Sequence, residues 1–226
     1  MRPKAFVFDA YGTLFDVAAA ARQAAAEPGA GALAQVWPLL AEEWRRKQLE
    51  YSWLRAIMGL HADFAEVTAE ALDWALEARG LGADHALRAR LLALYDRLEA
   101  YPEVPSVLMR LRGDGARLAI LSNGTPAMLA SATASAGIAG LFDAVLSVEE
   151  VGIYKPSSRV YALVETRLGV APREVLFVSS NGWDIAGAAR FGFQTAWVNR
   201  AGLPVDRLPH GPQHILRDLT ALPDFL

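Results

Sequence analysis

The 226-residue chain contains no cysteine. That excludes disulfide staples, thiolate metal sites and a cysteine nucleophile. It is compatible with a reducing compartment, and the expectation is a cytoplasmic protein. Histidine is scarce too: His61, His85, His210 and His214 show no metal-like pairing. His210 and His214 are four apart, but Gly211 and Pro212 between them oppose a helical ligand pair. A GxSxG elbow, which a serine hydrolase would need, is missing, and so is a phosphate-cradling GxxxxGK loop. Charge of one sign is also lacking. Lys and Arg number 22 against 25 Asp and Glu, a formal charge of −3. Without a basic stripe there is no electrostatic footprint for nucleic acid or an anionic membrane. The apolar run Ala5 to Phe8 ends at Asp9, too short for the core of a signal peptide. Leu118 to Phe142 is uncharged, but Ser122, Asn123, Gly124, Thr125 and Pro126 divide it into strand, loop and small-residue helix rather than a membrane span.

What is present is an apolar majority, 53% of the residues, enough for a sizeable core. Short β-branched and aromatic runs recur at Lys4–Phe8, Arg117–Leu121, Ala144–Leu146, Val175–Val178 and Thr195–Val198. Helical segments separate the later runs: Val104–Arg112, Pro126–Ala136, Ser158–Leu168 and Ile185–Phe191. Strands alternating with helices predict an α/β fold with a parallel sheet covered on both faces. Residues 17–100 break this rhythm. Leu33, Trp37, Leu40, Trp44, Tyr51, Leu54 and Met58 form an apolar stripe at helical spacing, with Pro38 either in the first turn or kinking the helix. Ala65–Ala78 and Ala86–Leu98 read as two more helices. The expected division is a core of residues 1–15 and 101–226 with a helical insert at 16–100. Two of the insert's apolar faces could equally serve intrachain packing or a homodimer.

Polar residues gather where strands end. Asp9 follows the first strand, Ser122-Asn123-Gly124 the second, Lys155-Pro156 the third after a loop, and Ser179 to Asp184 the fourth. In a doubly wound sheet these positions share the carboxyl edge, where ligands bind. Taken singly, each has a plainer reading. Asp9 could cap a helix or fix a turn, Lys155 could be a surface lysine, and Asp184 could cap a helix beginning near Ile185.

Together they resemble the haloacid dehalogenase superfamily. The segments FVFDAYGTLFD, LSNG, YKP and SSNGWD match its four motif regions in order. WRRKQLEYSWLRAIM and VSSNGWDIAGA narrow the resemblance to the L-2-haloacid dehalogenases. It covers essentially the whole chain. It implies a Rossmann-like core with a helical cap, and hydrolysis of short 2-haloalkanoic acids of the L form to 2-hydroxy acids. Asp9 would be the nucleophile, oriented by Thr13. Arg45 and Asn123 would meet the halide. Outside this resemblance Arg45 reads as a solvated residue beside Arg46 and Lys47. Ser122 and the amides of the Tyr11–Leu14 loop would hold the substrate carboxylate. Lys155 would offset the charge of Asp9, with Tyr161 and Ser179 in support. Asn181 and Asp184 would position and deprotonate water. Tyr11, Leu49, Phe64 and Trp183 would wall the cleft.

One departure bears on mechanism. Phosphatases of the superfamily carry a second Asp, a general acid, two residues after the nucleophile. Here that position is Tyr11. A halide leaves without a proton, so an acid there would be superfluous. A monoanionic haloacid also offers magnesium little. No metal and no cofactor is expected.

Overall fold

The computed structural model describes residues 2–226. Six strands form one sheet: β1 (Ala5–Phe8), β2 (Arg117–Ser122), β3 (Ala144–Ser147), β4 (Val175–Ser179), β5 (Gln194–Val198) and β6 (His214–Leu216). Their order is β3-β2-β1-β4-β5-β6, and each pairing is parallel. The centre is apolar because helices cover both faces, which leaves no polar alternation. β1 is buried along its whole length, and β4 likewise. Phe8 aligns with Ile120 on one side and Val178 on the other. The chain builds outward from β1 through β2 to β3, then crosses to β4 on the opposite side. β1 and β4 therefore flank the point where strand order reverses, and the loops after them form the crevice of a doubly wound sheet.

Eight helices accompany the sheet among the described residues. α1 (Ala19–Ala26), α2 (Leu33–Met58), α3 (Phe64–Ala78) and α4 (His85–Tyr95) lie consecutively between β1 and α5 (Val104–Gly113). α6 (Pro126–Ser135), α7 (Ser158–Leu168) and α8 (Gly182–Phe191) connect the later strands. Local chemistry sets several of these ends. Asp63 accepts from Glu66 N–H to start α3, and Asp84 accepts from Leu87 N–H to start α4. None of the described helices is long and apolar enough to cross a membrane.

Three expectations change. β6 and α1 carry too little periodic signal to be read from sequence: β6 has three residues with its outer side exposed, and α1 is largely alanine. α8 begins at Gly182 rather than near Ile185, so Asp184 sits inside its first turn and caps nothing. The stripe on α2 holds only for its first half. Leu33, Leu40 and Trp44 are buried, but Gln48 and Ser52 continue the inward line while Leu54 and Met58 are exposed. α2 runs through Pro38, which lies beyond the first turn.

Candidate active site

Asp9 is the first residue beyond β1. Its N–H donates to Val178 O at 2.9 Å, so it prolongs the β1–β4 ladder and is only 6% exposed. The chain must turn at once, and Gly12 does so at φ +88°, a conformation open to glycine. That turn brings Thr13 back over the strand end. Thr13 Oγ1 donates to Asp9 Oδ2 at 2.9 Å and accepts Ser180 N–H at 2.8 Å. One hydroxyl thus ties the β1 loop to the β4 loop. Gly124, after β2, is fixed by proximity: a Cβ there would fall 2.7 Å from the Tyr11 ring.

Two further groups hold the Asp9 carboxylate. Asn181 Nδ2 donates to Oδ2 at 3.0 Å, and Lys155 Nζ lies 3.2 Å from Oδ1. The Lys155 side chain is fully buried and also reaches Asp184 Oδ2 at 2.9 Å. Asp184 accepts from Ser179 Oγ at 3.1 Å and from the Tyr161 hydroxyl at 2.7 Å. Of about four lone-pair sites on that carboxylate, three are used and one is unpaired.

Burial alone would pull the Lys155 ammonium down, but the charges of Asp184 and Asp9 outweigh it, and its pKa is raised. Burial, then the nearby charge of Asp9, raises Asp184 despite Lys155. Asp184 is therefore a stronger base than an exposed aspartate. Burial also holds the hydroxyls of Tyr11 and Tyr161 well above their usual range, so both stay protonated.

Arg45 comes from α2. Its Nη1 donates to Gln48 Oε1 at 2.8 Å, and Nη2 approaches Tyr11 O at 3.3 Å and Asn181 Oδ1 at 3.4 Å. The insert thus brings a cation to the Asn181 amide that holds the Asp9 carboxylate.

The expected residues fall into clear groups. Asp9, Thr13, Lys155, Ser179, Asn181, Asp184 and Tyr161 form one hydrogen-bonded network, with Arg45 at its edge. Asn181, expected to position water with Asp184, has its amide on Asp9 and Arg45. It meets Asp184 through its backbone: its carbonyl accepts Asp184 N–H at 3.1 Å, and its N–H donates at 3.1 Å to Ser179 Oγ, which in turn donates to Asp184. Ser122 Oγ accepts Gly124 N–H at 3.1 Å, which leaves its proton available. Asn123 Oδ1 accepts Lys155 N–H at 3.1 Å, which leaves its NH2 group as donor.

The Tyr11–Leu14 loop departs from expectation. Gly12 N–H donates to Phe15 O, and the N–H groups of Thr13 and Leu14 donate to Ala10 O. Those three amides are spent on the turn and cannot serve a substrate carboxylate. Leu14 is wholly buried besides, so it leaves the candidate set. The Tyr11 ring packs on Phe64 at 5.7 Å and Tyr95 at 5.6 Å, and Trp183 meets Trp53 edge-on at 5.4 Å. Leu49 is half-buried on α2. A cavity of about 620 Å³, lined by Trp53, Ile57, Pro156 and Trp183 among others, adjoins Lys155 but does not include Asp9. The sequence did not single out Gln48, Thr68, Tyr95 or Ser180. Two of them had a signal: Ser180 lies inside SSNGWD, and Gln48 stands three residues after Arg45.

The donor set does not suit a divalent ion. An ammonium stands between the two carboxylates that would have to bind it, and no group of three or more His, Cys, Asp or Glu with metal-binding geometry occurs among the described residues.

A strand-end carboxylate, a buried lysine bridging it to a second carboxylate, and a helical insert supplying an arginine define the class. A family model for haloacid dehalogenase-like hydrolases matches residues 3–192, and the chain belongs to that family. Its relatives are more particular. The (S)-2-haloacid dehalogenase 1 of Pseudomonas sp. (strain CBS-3) is 45% identical over 223 residues, 99% of this chain and 96% of that protein. The (S)-2-haloacid dehalogenase of Xanthobacter autotrophicus is 50% identical over 198 residues, 87% of this chain and 75% of that protein. The structure of the L-2-haloacid dehalogenase from Xanthobacter autotrophicus with chloropropionic acid covalently bound superposes with a TM-score of 0.86 at 41% identity, covering 98% of this chain and 97% of that one.

Proposed function

We propose that this protein hydrolyses the carbon–halogen bond of short (S)-2-haloalkanoic acids through an ester on Asp9. The observation that carries the reading is the Asp9 carboxylate. It is buried, held by Thr13, Asn181 and Lys155, and followed two residues later by a neutral tyrosine rather than an acid.

Asp9 attacks C2 in line with the halide. The C–O bond forms as the C–X bond breaks, and the halide leaves with the bonding pair. Thr13, Asn181 and Lys155 fix the nucleophile's direction, and this removes orientational entropy from the barrier. Arg45 and the Asn123 NH2 group stabilise charge on the departing halide. That charge develops only in the transition state, so the interaction speeds the step. Ser122 and Tyr11 N–H hold the substrate carboxylate. Asp184 then takes a proton from water, which attacks the Asp9 carbonyl carbon. The acyl C–O bond breaks, the departing alkoxide takes the proton of the new Asp9 carboxyl to become the 2-hydroxy acid, Asp9 returns as carboxylate, and Asp184 gives its proton up to solvent; the single inversion at C2 is that of the displacement step. Tyr11, Phe64, Leu49 and Trp183 limit water around these charges.

In this reading residues 16–100 form a cap over a core of 1–15 and 101–226, because Arg45 must come from above the sheet edge. No divalent ion takes part. The protein works in the cytoplasm. Exposed Leu54, Ile57, Met58 and Leu60, near the end of α2, support a homodimer.

Halide release from 2-chloropropionate, read by electrode with and without chelator, tests the reading. Wild-type protein should release halide equally in both, and Asp9→Asn should release none in the first turnovers. Undiminished release by Asp9→Asn would remove the proposal. Chelator-sensitive release of phosphate from aryl phosphates would favour phosphoryl transfer by the same aspartate.

A further inference from the structure

Gln48 lies three residues after Arg45 on α2, on the same face of the helix. It is 1% exposed, yet its whole amide is engaged. Oε1 accepts from Arg45 Nη1 at 2.8 Å, and Nε2 donates to Thr68 Oγ1 at 2.7 Å and to the Tyr95 hydroxyl at 3.1 Å. Thr68 spends its hydroxyl proton on Phe64 O, one turn back in α3, at 2.5 Å. Toward Gln48 it can only accept. The amide therefore has one acceptable orientation: NH2 toward Thr68 and oxygen toward Arg45. A flipped amide would set donors against a guanidinium, which only donates. The Tyr95 hydroxyl, 3.3 Å from Oε1, can also donate there and reinforce the same choice. Trp44 Nε1 pins the seam by donating to Thr68 O at 2.8 Å.

We propose that Gln48, oriented by Thr68 and Tyr95, is a positioning residue that aims the Arg45 guanidinium at the leaving halide. The inference rests on the proposed role of Arg45. Arg45 has long rotatable bonds, and its other contacts, at 3.3 and 3.4 Å, are too loose to fix it. The 2.8 Å bond to a buried, fully satisfied amide is the one firm anchor. It holds the guanidinium in place before substrate arrives, so little reorganisation is left for the reaction.

The readout is leaving-group dependence. Chloride is a poorer leaving group than bromide and depends more on Arg45. For 2-bromopropionate and 2-chloropropionate, kcat/KM runs only as far as halide departure. Removing a single transition-state donor typically costs about 10²–10³ in rate, and displacing one should cost about tenfold. Gln48→Leu should lower kcat/KM about tenfold with the chloride and distinctly less with the bromide. Arg45→Lys should shift the ratio the same way and further. Thr68→Val keeps shape but removes the acceptor that orients the amide, so it should reproduce the shift. Thr68→Ser should restore the wild-type ratio. This second pair keeps the test open if Gln48→Leu does not fold. Equal losses with both halides in Gln48→Leu and Thr68→Val would show a merely structural role and overturn the inference. An unchanged ratio in Arg45→Lys would instead refute the underlying reading of Arg45.

Discussion

Lys155→Met is the perturbation most exposed to refutation. Methionine keeps the unbranched shape and can still pack on the Phe177 ring, over which the ammonium now sits at 5.1 Å. What it removes is the charge between Asp9 and Asp184, 3.2 and 2.9 Å away. Removing one partner of a buried ion pair costs about 3–5 kcal/mol, because the remaining charge is left uncompensated. Here two carboxylates remain, so the upper part of that range is expected at pH 8. For a chain of this size about 1 kcal/mol moves Tm by about 2–4 °C, which gives a fall of roughly 8–20 °C. The loss must depend on pH. Asp184 already has a raised pKa from burial and from Asp9, and without Lys155 it rises further. As pH falls through that raised value the variant takes up a proton, the repulsion disappears, and the gap to wild type narrows. In wild type Lys155 gives a linkage of the same sign in an alkaline window. The Lys155 pKa is raised, so its contribution is complete below the unfolded value of about 10.4 and is lost only as pH climbs through the folded one. Thermal or urea unfolding of both proteins at pH 5 and pH 8 measures this directly. A gap of equal size at the two pH values, or one under about 1 kcal/mol at pH 8, would refute the argument.

Two further outcomes follow from the same network. Asp184→Asn should still expel halide but stall at the ester, and mass spectrometry should find a 1-carboxyalkyl ester on Asp9; a variant that turns over freely would assign the base elsewhere. Decay of that ester in wild type should slow as pH falls, because a protonated Asp184 cannot take the proton of water; a decay rate that stays constant down to the pH of acid unfolding would contradict it.

Much of this arrangement was legible because it follows from local rules. Buried parallel strands read as apolar runs, and each polar residue after a run lands on one sheet edge. Asp9, Lys155 and Asp184 became visible in that way. Short or featureless elements did not: β6 has three residues, and α1 has an alanine-rich sequence that suits a helix without marking its faces. The inward turn of Gln48 was hidden because an apolar stripe predicts where core lies, and here the inner face of α2 meets the polar atoms of Thr68 and Tyr95. The spent amides of the Tyr11–Leu14 loop were hidden for a related reason. Composition shows that a loop follows Asp9, but only the turn around Gly12 decides which N–H groups remain free.

The central claim is that an oxygen of Asp9 becomes the hydroxyl oxygen of the product. A single turnover in heavy-oxygen water, with enzyme in excess, tests it. The first 2-hydroxy acid should carry ordinary oxygen at C2, and the label should appear in the peptide containing Asp9. Label in the hydroxyl of the first product, with an unlabelled Asp9, would mean that water attacks carbon directly, and the ester mechanism would be wrong.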